Sequence, residues 1–305
     1  MTRHFLTLRD CSPAELEGIV LRGIELKRMR AAGTVHAPLK HRTLALIFDK
    51  SSTRTRVSFE AGMAELGGVA MFLSPNDLQL GRGEPIEDTA RVVSSMVDVI
   101  AIRTHEHAKV ERFSSCSTVP VINALTDRHH PCQLLADIQT YVERRGSIRG
   151  RIAAWVGDGN NVCHSWIDAA ALFGFTLRVA TPEGYAPDRT IIQNAGGQVH
   201  CVLSAEEAVQ GADIVITDTW ASMGQEQEKD RRMRVFQPFR VDARLLGLAA
   251  PNAIFMHCLP AYRGVEVSED VIDGPQSAVW DEAENRLHAQ KALLEFLMLS
   301  GHART

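Results

Sequence analysis

The feature that most constrains the fold is an alternation of short apolar runs with helix-like stretches along the chain. Apolar strands that are separated by helices are typical of parallel sheets with helices on both faces. The sequence therefore predicts an α/β protein. The predicted strands are TLALIFD (43–49), VAMFL (69–73), VDVIAIR (97–103), VPVIN (119–123), IAAWVG (152–157), TLRVATP (176–182), GQVHCVL (197–203), DIVITDTW (213–220) and AIFMHCLP (253–260).

These strands form two series, separated by the polar, glycine-containing stretch YVERRGSIRGR at 141–151. A chain of 305 residues suits two medium-sized domains. We therefore predict two doubly wound parallel-sheet domains, at 1–140 and 151–285. The last helix begins at about Asp281, and its part at about 286–305 is expected to dock on the first domain.

A capping pattern predicts the start of the first helix. Ser12 is the expected N-cap, Pro13 the first helical residue and Glu15 the reciprocal partner of a capping box. Apolar positions after Glu15 then recur with helical spacing.

Charge and cysteine usage exclude several protein classes. The net charge is −4 with scattered basic residues, which argues against a nucleic-acid partner. The longest apolar runs fall far short of the ~20 residues that span a bilayer. The N-terminus lacks an apolar signal core, which favours a cytoplasmic location. None of the six cysteines forms a C-x-x-C pair, so we expect reduced thiols and no zinc site.

Polar clusters follow nearly every predicted strand. In open parallel sheets, ligands bind beyond the carboxyl ends of the strands. One such cluster could be an ordinary turn, but seven at the same edges of two sheets indicate binding sites. The clusters are SSTRTR, DLQLGRGE, RTHEH, RHHPCQ, GDGNN, DTWASMG and HCLPAYRG.

The cluster SSTRTR (51–56) is typical of a phosphate site. A loop that enters a helix presents backbone N–H groups and the positive end of the helix dipole. The hydroxyls of Ser52, Thr53 and Thr55 and the guanidinium of Arg54 add donors suited to a phosphate. A serine here is also expected to cap the helix, and Arg56 is expected to be a surface or salt-bridge residue.

Two further clusters have both a binding interpretation and a structural one. Arg103 ends an apolar strand and either contacts a ligand or simply emerges into water. His130 and Gln133 together can hold a small planar amide, but they also fit the start of a helix with a satisfied histidine.

The glycines of GDGNN only partly match a dinucleotide-binding fingerprint. Gly157 and Gly159 have the right spacing, but the third glycine is replaced by Val162. A polar contact from Asn161 to a small molecule fits at least as well.

Asp218 and Cys258 each end a predicted strand and also allow two interpretations. Asp218 can bind an ammonium group or cap a turn. Cys258 can be a partial thiolate beside a cation, or a small core residue.

Taken together, these motifs resemble those of the carbamoyltransferases, and specifically the ornithine carbamoyltransferases. The resemblance covers essentially the whole chain, and it implies that the active site lies in the cleft between the two domains. The motifs that carry it are SSTRTRVSFE, DLQLGRGEPIEDTARV, HHPCQLLAD, GDGNNVCHS, DTWASMGQE, MHCLPAYRGVEV and DEAENRLHAQKAL.

The resemblance implies a role for each matching residue. Arg54, Arg103, His130 and Cys258 are implied to be catalytic. The implied carbamoyl phosphate contacts are Ser52, Thr53, Arg54, Thr55, Gln79, Arg103, His130, Gln133, Cys258, Leu259 and Arg286. The implied ornithine contacts are Asn161, Asp218, Ser222 and Met223. Gln79 matches a loop position that reaches a neighbouring subunit's site, which implies a homo-oligomer of at least three chains.

The implied reaction transfers the carbamoyl group of carbamoyl phosphate to the side-chain amine of L-ornithine, giving L-citrulline and phosphate. It needs no metal or redox cofactor, and it belongs to arginine metabolism in either direction. One departure is Tyr262, where the family commonly has histidine. The alternatives are a carbamoyltransferase with another acceptor, such as an N-acylornithine or putrescine, and an NAD-dependent oxidoreductase.

Overall fold

The computed structural model describes residues 2–74, 83–221 and 228–299. The chain divides into two units. Unit 1 comprises residues 1–139 and 284–305, and unit 2 comprises residues 140–283. Each division falls inside a helix, so the two units share two continuous helices.

Unit 1 contains a parallel four-stranded sheet of order β2-β1-β3-β4. Its strands are β1 (Thr43–Phe48), β2 (Val69–Leu73), β3 (Val99–Arg103) and β4 (Val121–Leu125). Leu44 of the central strand pairs with Ala70 on one side and with Val99 on the other. The chain therefore leaves β1 in one direction and returns to its other side, which creates a topological switch point between β1 and β3.

Six α-helices among the described residues contribute to unit 1, wholly or in part. They are α1 (Pro13–Ala31), α2 (Thr53–Glu65), α3 (Ile86–Ser94), α4 (His107–Cys116), α5 (Pro131–Arg145) and the later part of the final helix, Val279–Leu299. A buried cluster that includes Ile47, Ile100 and Phe113 forms one part of the core. Helix α5 continues through Arg145, so the first part of the stretch at 141–151 is helical and not a linker.

The predicted start of α1 is confirmed. The Ser12 side chain accepts a hydrogen bond from the Glu15 N–H, and the Glu15 carboxylate accepts one from the Ser12 N–H. Pro13 is the first helical residue.

Unit 2 contains a parallel five-stranded sheet of order β7-β6-β5-β8-β9. Its strands are β5 (Ile152–Val156), β6 (Thr176–Ala180), β7 (Val199–Val202), β8 (Ile214–Ile216) and β9 (Ile254–Met256). Ala153 of the central strand pairs with Leu177 and with Ile214. The switch point of this sheet therefore lies between β5 and β8.

The helices of unit 2 cover both faces of that sheet. They are α6 (Asn161–Phe173), α7 (Arg189–Asn194), α8 (Ala205–Val209), α9 (Lys229–Phe236), α10 (Ala243–Leu246), α11 (Glu269–Ile272) and the first turn of α12 (Val279–Leu299). Val156, Val215 and Phe255 of the sheet are buried in one apolar cluster with residues of α8, α10 and α11. All nine strands that the sequence predicts are present, and the described residues of the two sheets confirm the predicted α/β fold.

Among the described residues, no helix combines the length and the apolar character needed to cross a bilayer.

Candidate active site

The switch point of unit 1 carries two of the predicted polar clusters. Helix α2 begins at Thr53 directly after β1, with Ser52 at the N-cap position, and Arg103 is the last residue of β3. Since β1 and β3 are neighbouring parallel strands, SSTRTR and Arg103 lie at the same edge of the sheet.

Thr55, Gln133 and Arg286 form one buried polar cluster in unit 1. Arg286 Nη1 donates to Gln133 Oε1 over 2.7 Å, and Arg286 Nη2 is 3.2 Å from Thr55 Oγ1. The three side chains are at most 2% exposed. Gln133 Nε2 also donates to Asp137 Oδ1, which fixes the orientation of the amide. A buried guanidinium is costly unless it is hydrogen-bonded, so this cluster holds a positive charge ready for an anion.

His130 is placed by hydrogen bonds around the turn that follows β4. The carbonyl oxygen of His129 accepts from the Thr126 N–H and from the Asn123 side-chain amide. The Cys132 thiol donates to the carbonyl oxygen of Asn123. These bonds fix the chain immediately before Pro131, where α5 begins.

The environment of His130 keeps its ring neutral. The side chain is buried, and burial lowers its pKa well below the usual value. The positive charges of Arg286, Arg103 and Arg54 lower the pKa further, in that order. These same four residues were assigned to one site from the sequence. A neutral imidazole beside three guanidinium groups can donate one hydrogen bond to a carbonyl oxygen.

The two arginines of SSTRTR differ in their contacts. The Arg56 guanidinium bonds the Glu60 carboxylate one turn later and lies over the ring of Phe72, which confirms it as a surface salt-bridge residue. Arg54 is half-buried and contributes to the field at His130. Ser52 occupies the N-cap position, but its side chain makes no capping hydrogen bond. The prediction that a serine side chain caps this helix is therefore wrong for Ser52.

The switch point of unit 2 brings GDGNN and Asp218 together. GDGNN follows β5, and Asp218 follows the neighbouring strand β8. Asn160 is the N-cap of α6, and its Oδ1 accepts from the Val162 and Cys163 N–H groups. Asn160 Nδ2 donates to Asp218 Oδ2 over 2.7 Å. Asn161 begins the helix beside it.

Asp218 also binds the thiol of Cys258. The Cys258 Sγ is 3.2 Å from Asp218 Oδ1, and that oxygen accepts from the Thr219 N–H over 2.7 Å. Asp218 is 7% exposed. The carboxylate is thus fixed by donors from three directions. A thiol that donates to a carboxylate keeps its proton, and its sulphur can accept a hydrogen bond from an amine.

Sequence reasoning missed Asn160, which holds Asp218 while capping α6. The only signal for it was the doubled asparagine of GDGNN. Which of two neighbouring asparagines caps a helix depends on backbone geometry that the sequence does not specify.

Three groups near the end of β9 could ligate a metal ion. Ligand atoms of Asp218, His257 and Cys258 all lie within 4.8 Å of one another. However, both ring nitrogens of His257 make hydrogen bonds, to the Leu259 N–H and to Glu266. Metal binding would require these bonds to break, so the arrangement is better suited to positioning the turn.

The second glycine of GDGNN, Gly159, packs against the protein's own backbone. A Cβ at Gly159 would lie 2.3 Å from the Pro187 nitrogen and 2.6 Å from the Tyr185 oxygen. The Gly159 N–H donates to that same oxygen. In a dinucleotide site this close approach is reserved for the pyrophosphate, so the geometry argues against the oxidoreductase alternative.

Asp158 follows β5 and forms a buried ion pair with Arg232. The same guanidinium also contacts aromatic rings. The Arg232 guanidinium bonds Asp158 and the Trp220 carbonyl, and it lies over the rings of Tyr185 and Phe236. Burial raises the pKa of Asp158 to about 6, although Arg232 opposes that shift.

Three of the predicted site residues, Gln79, Ser222 and Met223, lie outside the described residues. Leu259 directly follows Cys258 and has a φ of 55°. The Tyr262 side chain is 56% exposed, so its ring faces solvent.

Comparisons with known proteins agree with these motifs over the whole chain. Residues 3–143 match the carbamoyl-P binding domain of aspartate/ornithine carbamoyltransferase, and residues 149–297 match its Asp/Orn binding domain. The chain is 60% identical over 298 residues to the ornithine carbamoyltransferase of Nitrosococcus oceani, covering 98% of each chain. It is 61% identical over 297 residues to that of Halorhodospira halophila, covering 97% of this chain and 99% of the relative.

Solved structures give the same assignment. The ornithine carbamoyltransferase of Pyrococcus furiosus has a TM-score of 0.93 at 49% identity, covering 98% of this chain and 97% of that one. The enzyme of Burkholderia thailandensis has a TM-score of 0.91 at 51% identity, covering 97% and 99%. A family model for each half and such close relatives leave one conclusion: the chain belongs to the aspartate/ornithine carbamoyltransferase family.

Proposed function

We infer that this chain transfers the carbamoyl group of carbamoyl phosphate to the side-chain amine of L-ornithine, giving L-citrulline and phosphate. The observation that carries this inference is near-full-length identity of about 60% to proteins named ornithine carbamoyltransferase. The polar clusters of the two units support it, because one suits an anionic donor and the other an amine.

Unit 1 supplies the groups for carbamoyl phosphate. The α2 N-terminus, with Ser52, Thr53 and Arg54, offers N–H groups, hydroxyls and a guanidinium to the phosphate. Arg286 already bridges Thr55 and Gln133, so a phosphate oxygen gains a charge-assisted bond without reorganisation of the cluster. Gln79 is proposed to complete this set from a neighbouring subunit.

The carbamoyl group is proposed to bind His130 and its neighbours. A neutral His130 donates to the carbonyl oxygen, where negative charge accumulates during attack. Arg103 and Thr55 add donors to the same oxygen. Leu259 and Cys258 are proposed to contact the carbamoyl nitrogen.

Unit 2 supplies the groups for ornithine. Asp218 is proposed to bind an amino group, together with Asn161, Ser222 and Met223. The carboxylate of Asp218 can only accept hydrogen bonds, and Asn160 holds it in place. It therefore favours an acceptor molecule whose α-amino group is free over one whose α-amino group is acylated. We therefore propose ornithine over N-acylornithine as the acceptor.

The chemistry requires the neutral side-chain amine of ornithine as the nucleophile. The pKa of a comparable lysine amine is ~10.4, so only a small fraction is neutral near pH 7. The thiol of Cys258 donates to Asp218, and its sulphur is proposed to accept a hydrogen bond from that amine. The amine attacks the carbonyl carbon, the bond between that carbon and the phosphate oxygen breaks, and phosphate leaves toward Arg54. The leaving phosphate takes up the proton that the nitrogen loses, which gives citrulline.

The assay that tests this function offers carbamoyl phosphate with ornithine, N-acetylornithine, putrescine or aspartate in turn. Citrulline and phosphate are expected in equal amounts with ornithine alone. Arg54→Ala should lower kcat by at least about 100-fold, the effect typical of one lost charge-stabilising donor, whereas Arg56→Ala is the matched surface control. Activity of Arg54→Ala within a few fold of wild type would remove Arg54 from the transition state.

The finer assignments are also proposals. We propose two functional domains, at 1–140 with the helix from about 286 and at 151–285, and a place for the enzyme in arginine biosynthesis in the cytoplasm. The assembly is proposed to be a homotrimer. Light scattering should then give three times the 33.6 kDa chain mass, and the mass of a single chain would contradict the trimer.

A further inference from the structure

The turn that carries Cys258 has an unusual backbone conformation. Leu259 has a φ of 55°, in the left-handed region that side chains other than glycine rarely adopt. Such a conformation persists only where the surrounding structure determines it. The contacts of this turn should therefore reveal what holds Cys258 and Leu259 in place.

One contact comes from the ring of His257. Its Nδ1 accepts the Leu259 N–H over 2.9 Å, so that nitrogen carries no proton. In a neutral imidazole the proton then resides on Nε2, which lies 3.2 Å from Glu266 Oε1 and donates to it. The histidine thus joins the strained residue to a carboxylate.

Glu266 bonds the turn at a second point. Its Oε1 also accepts the Tyr262 N–H over 2.6 Å. Glu266 itself is anchored by the main chain, because its carbonyl oxygen accepts the Val241 N–H and the next residue, Val267, bridges to Val241. One carboxylate oxygen therefore fixes both ends of the turn 258–261.

Both side chains of this relay are fully buried. Glu266 and His257 each have 0% of the side chain exposed. A buried carboxylate is costly unless hydrogen bonds compensate, and both bonds of Oε1 go to residues that flank this turn, His257 and Tyr262. A ring nitrogen of His257 also lies within 4.8 Å of the Cys258 sulphur and of an Asp218 oxygen. A shift of the ring would therefore reach the amine-binding groups directly.

We propose that Glu266 is a positioning residue that acts through His257 to hold Cys258 and Leu259 in the orientation the reaction needs. This inference rests on the proposed function, because it assigns Glu266 to the acceptor side of the same site. Glu266 touches no reacting atom and is therefore not itself catalytic. Its contribution is the acceptor oxygen that orders the turn.

The first test compares two variants of Glu266. Glu266→Gln keeps an acceptor oxygen, whereas Glu266→Met keeps the length of the side chain and removes the acceptor. We expect Glu266→Gln to retain kcat/KM for ornithine within a few fold. Glu266→Met should lose about 100-fold, the effect of a displacement near 1 Å. Equal kcat/KM in the two variants would overturn the proposal.

Two variants of His257 separate the two bonds of its ring. Asparagine matches Nδ1 and can still accept from Leu259, whereas glutamine matches Nε2 and can still donate to Glu266. Because the relay needs both bonds, His257→Asn and His257→Gln should each lose kcat/KM for ornithine. Wild-type kcat/KM in either one contradicts the relay. This pair decides the question even if Glu266→Met does not fold.

Coupling distinguishes a relay from two independent effects. The double variant Glu266→Met with His257→Asn should lose no more activity than the more impaired of the two single variants, because both changes interrupt one pathway. Losses that multiply would overturn the proposal. Inhibition by inorganic phosphate, which reports on the donor groups of unit 1, should be unchanged in every variant. Tyr262→Phe is the matched control, because only the main chain of Tyr262 contacts Glu266.

A second readout does not depend on the proposed function. Alkylation of Cys258 by iodoacetamide can be followed by peptide mass spectrometry, with the exposed Cys201 as internal standard. In Glu266→Met the turn no longer holds Cys258 in place, so the Cys258 thiol should react several-fold faster relative to Cys201. An unchanged ratio would overturn the proposal. A wild-type protein that forms no citrulline would instead refute the proposed function and leave this measurement valid.

Discussion

At the scale of single residues, the site depends on side chains that carry out two tasks at once. Arg286 bonds both Gln133 and Thr55, and Asn160 caps α6 while it holds Asp218. Such residues couple the local stability of a helix end to the geometry of a charged group. Substitutions that separate the two tasks are therefore the most informative.

Asn160 offers such a separation. Aspartate and serine both keep a capping oxygen for α6 in Asn160→Asp and Asn160→Ser. Serine adds no charge, so the free energy of unfolding of Asn160→Ser should stay within about 1 kcal/mol of that of wild type. Both lose the amide donor to Asp218, and Asn160→Asp also places a second carboxylate beside it. We expect the KM for ornithine to rise about tenfold or more, most strongly in Asn160→Asp. The KM for carbamoyl phosphate is the internal control. An unchanged KM for ornithine in Asn160→Asp would show that Asn160 serves only as a cap.

Asp158 should give the protein a measurable pH dependence of stability. Burial raises its pKa from 3.8 to about 6, so the folded state binds more protons than the unfolded chain between these values. Its contribution to the free energy of unfolding therefore falls as pH rises through this window. Relative to Asp158→Asn, wild type should lose up to about 3 kcal/mol between about pH 4 and pH 6. Urea unfolding at several pH values measures this difference. A difference that is constant with pH would contradict the raised pKa.

At the scale of helices and strands, the sequence predicted the existence and type of each element better than the residues at which it begins and ends. All nine strands are present, because each is a short apolar run bounded by polar residues. The capping box at Ser12 and Glu15 was predictable because its signal is entirely local. The predicted ends of β8 and β9 were four residues too far and that of β6 two residues too far, because the sequence alone does not show where strand pairing stops and the following loop begins.

Long-range contacts were not predictable in this way. The sequence placed Arg286 near the final helix, but its bonds to Gln133 and Thr55 join residues 153 and 231 positions apart. The relay from Glu266 to His257 was missed for the same reason. In the sequence Glu266 lies between two valines, Val265 and Val267, and nothing local distinguishes this glutamate from a surface residue.

The capping box provides a prediction at this scale. Ser12→Ala should lower the free energy of unfolding by about 1 kcal/mol, because the Glu15 N–H loses its side-chain acceptor. Ser12→Asp keeps an acceptor and should unfold like wild type. Citrulline formation should be unchanged in both variants, because Ser12 caps the first helix and touches none of the site residues. A loss of stability in Ser12→Asp equal to that in Ser12→Ala would contradict the capping role.

At the scale of the whole molecule, the proposed trimer makes a prediction about mixed assemblies. If Gln79 completes a neighbour's site, then Arg54→Ala and Gln79→Ala trimers should each be nearly inactive. Mixing the two after dissociation should restore activity, because some sites then combine an intact Arg54 from one chain with an intact Gln79 from another. Activity that stays at the sum of the two parents would place both residues in the same subunit's site. Remixed Arg54→Ala alone is the control for the dissociation step.

Unit 1 is built from two separate segments of the chain, and this has a consequence for biosynthesis. Its sheet is complete by residue 125, but Arg286 and the helix that carries it follow unit 2 in the chain and leave the ribosome after it. The early part of the chain must therefore wait through the translation of all of unit 2 before the cluster of Thr55, Gln133 and Arg286 can form. A nascent chain stalled before residue 286 would already contain the loop after β1 and would still lack the guanidinium that joins Thr55 to Gln133.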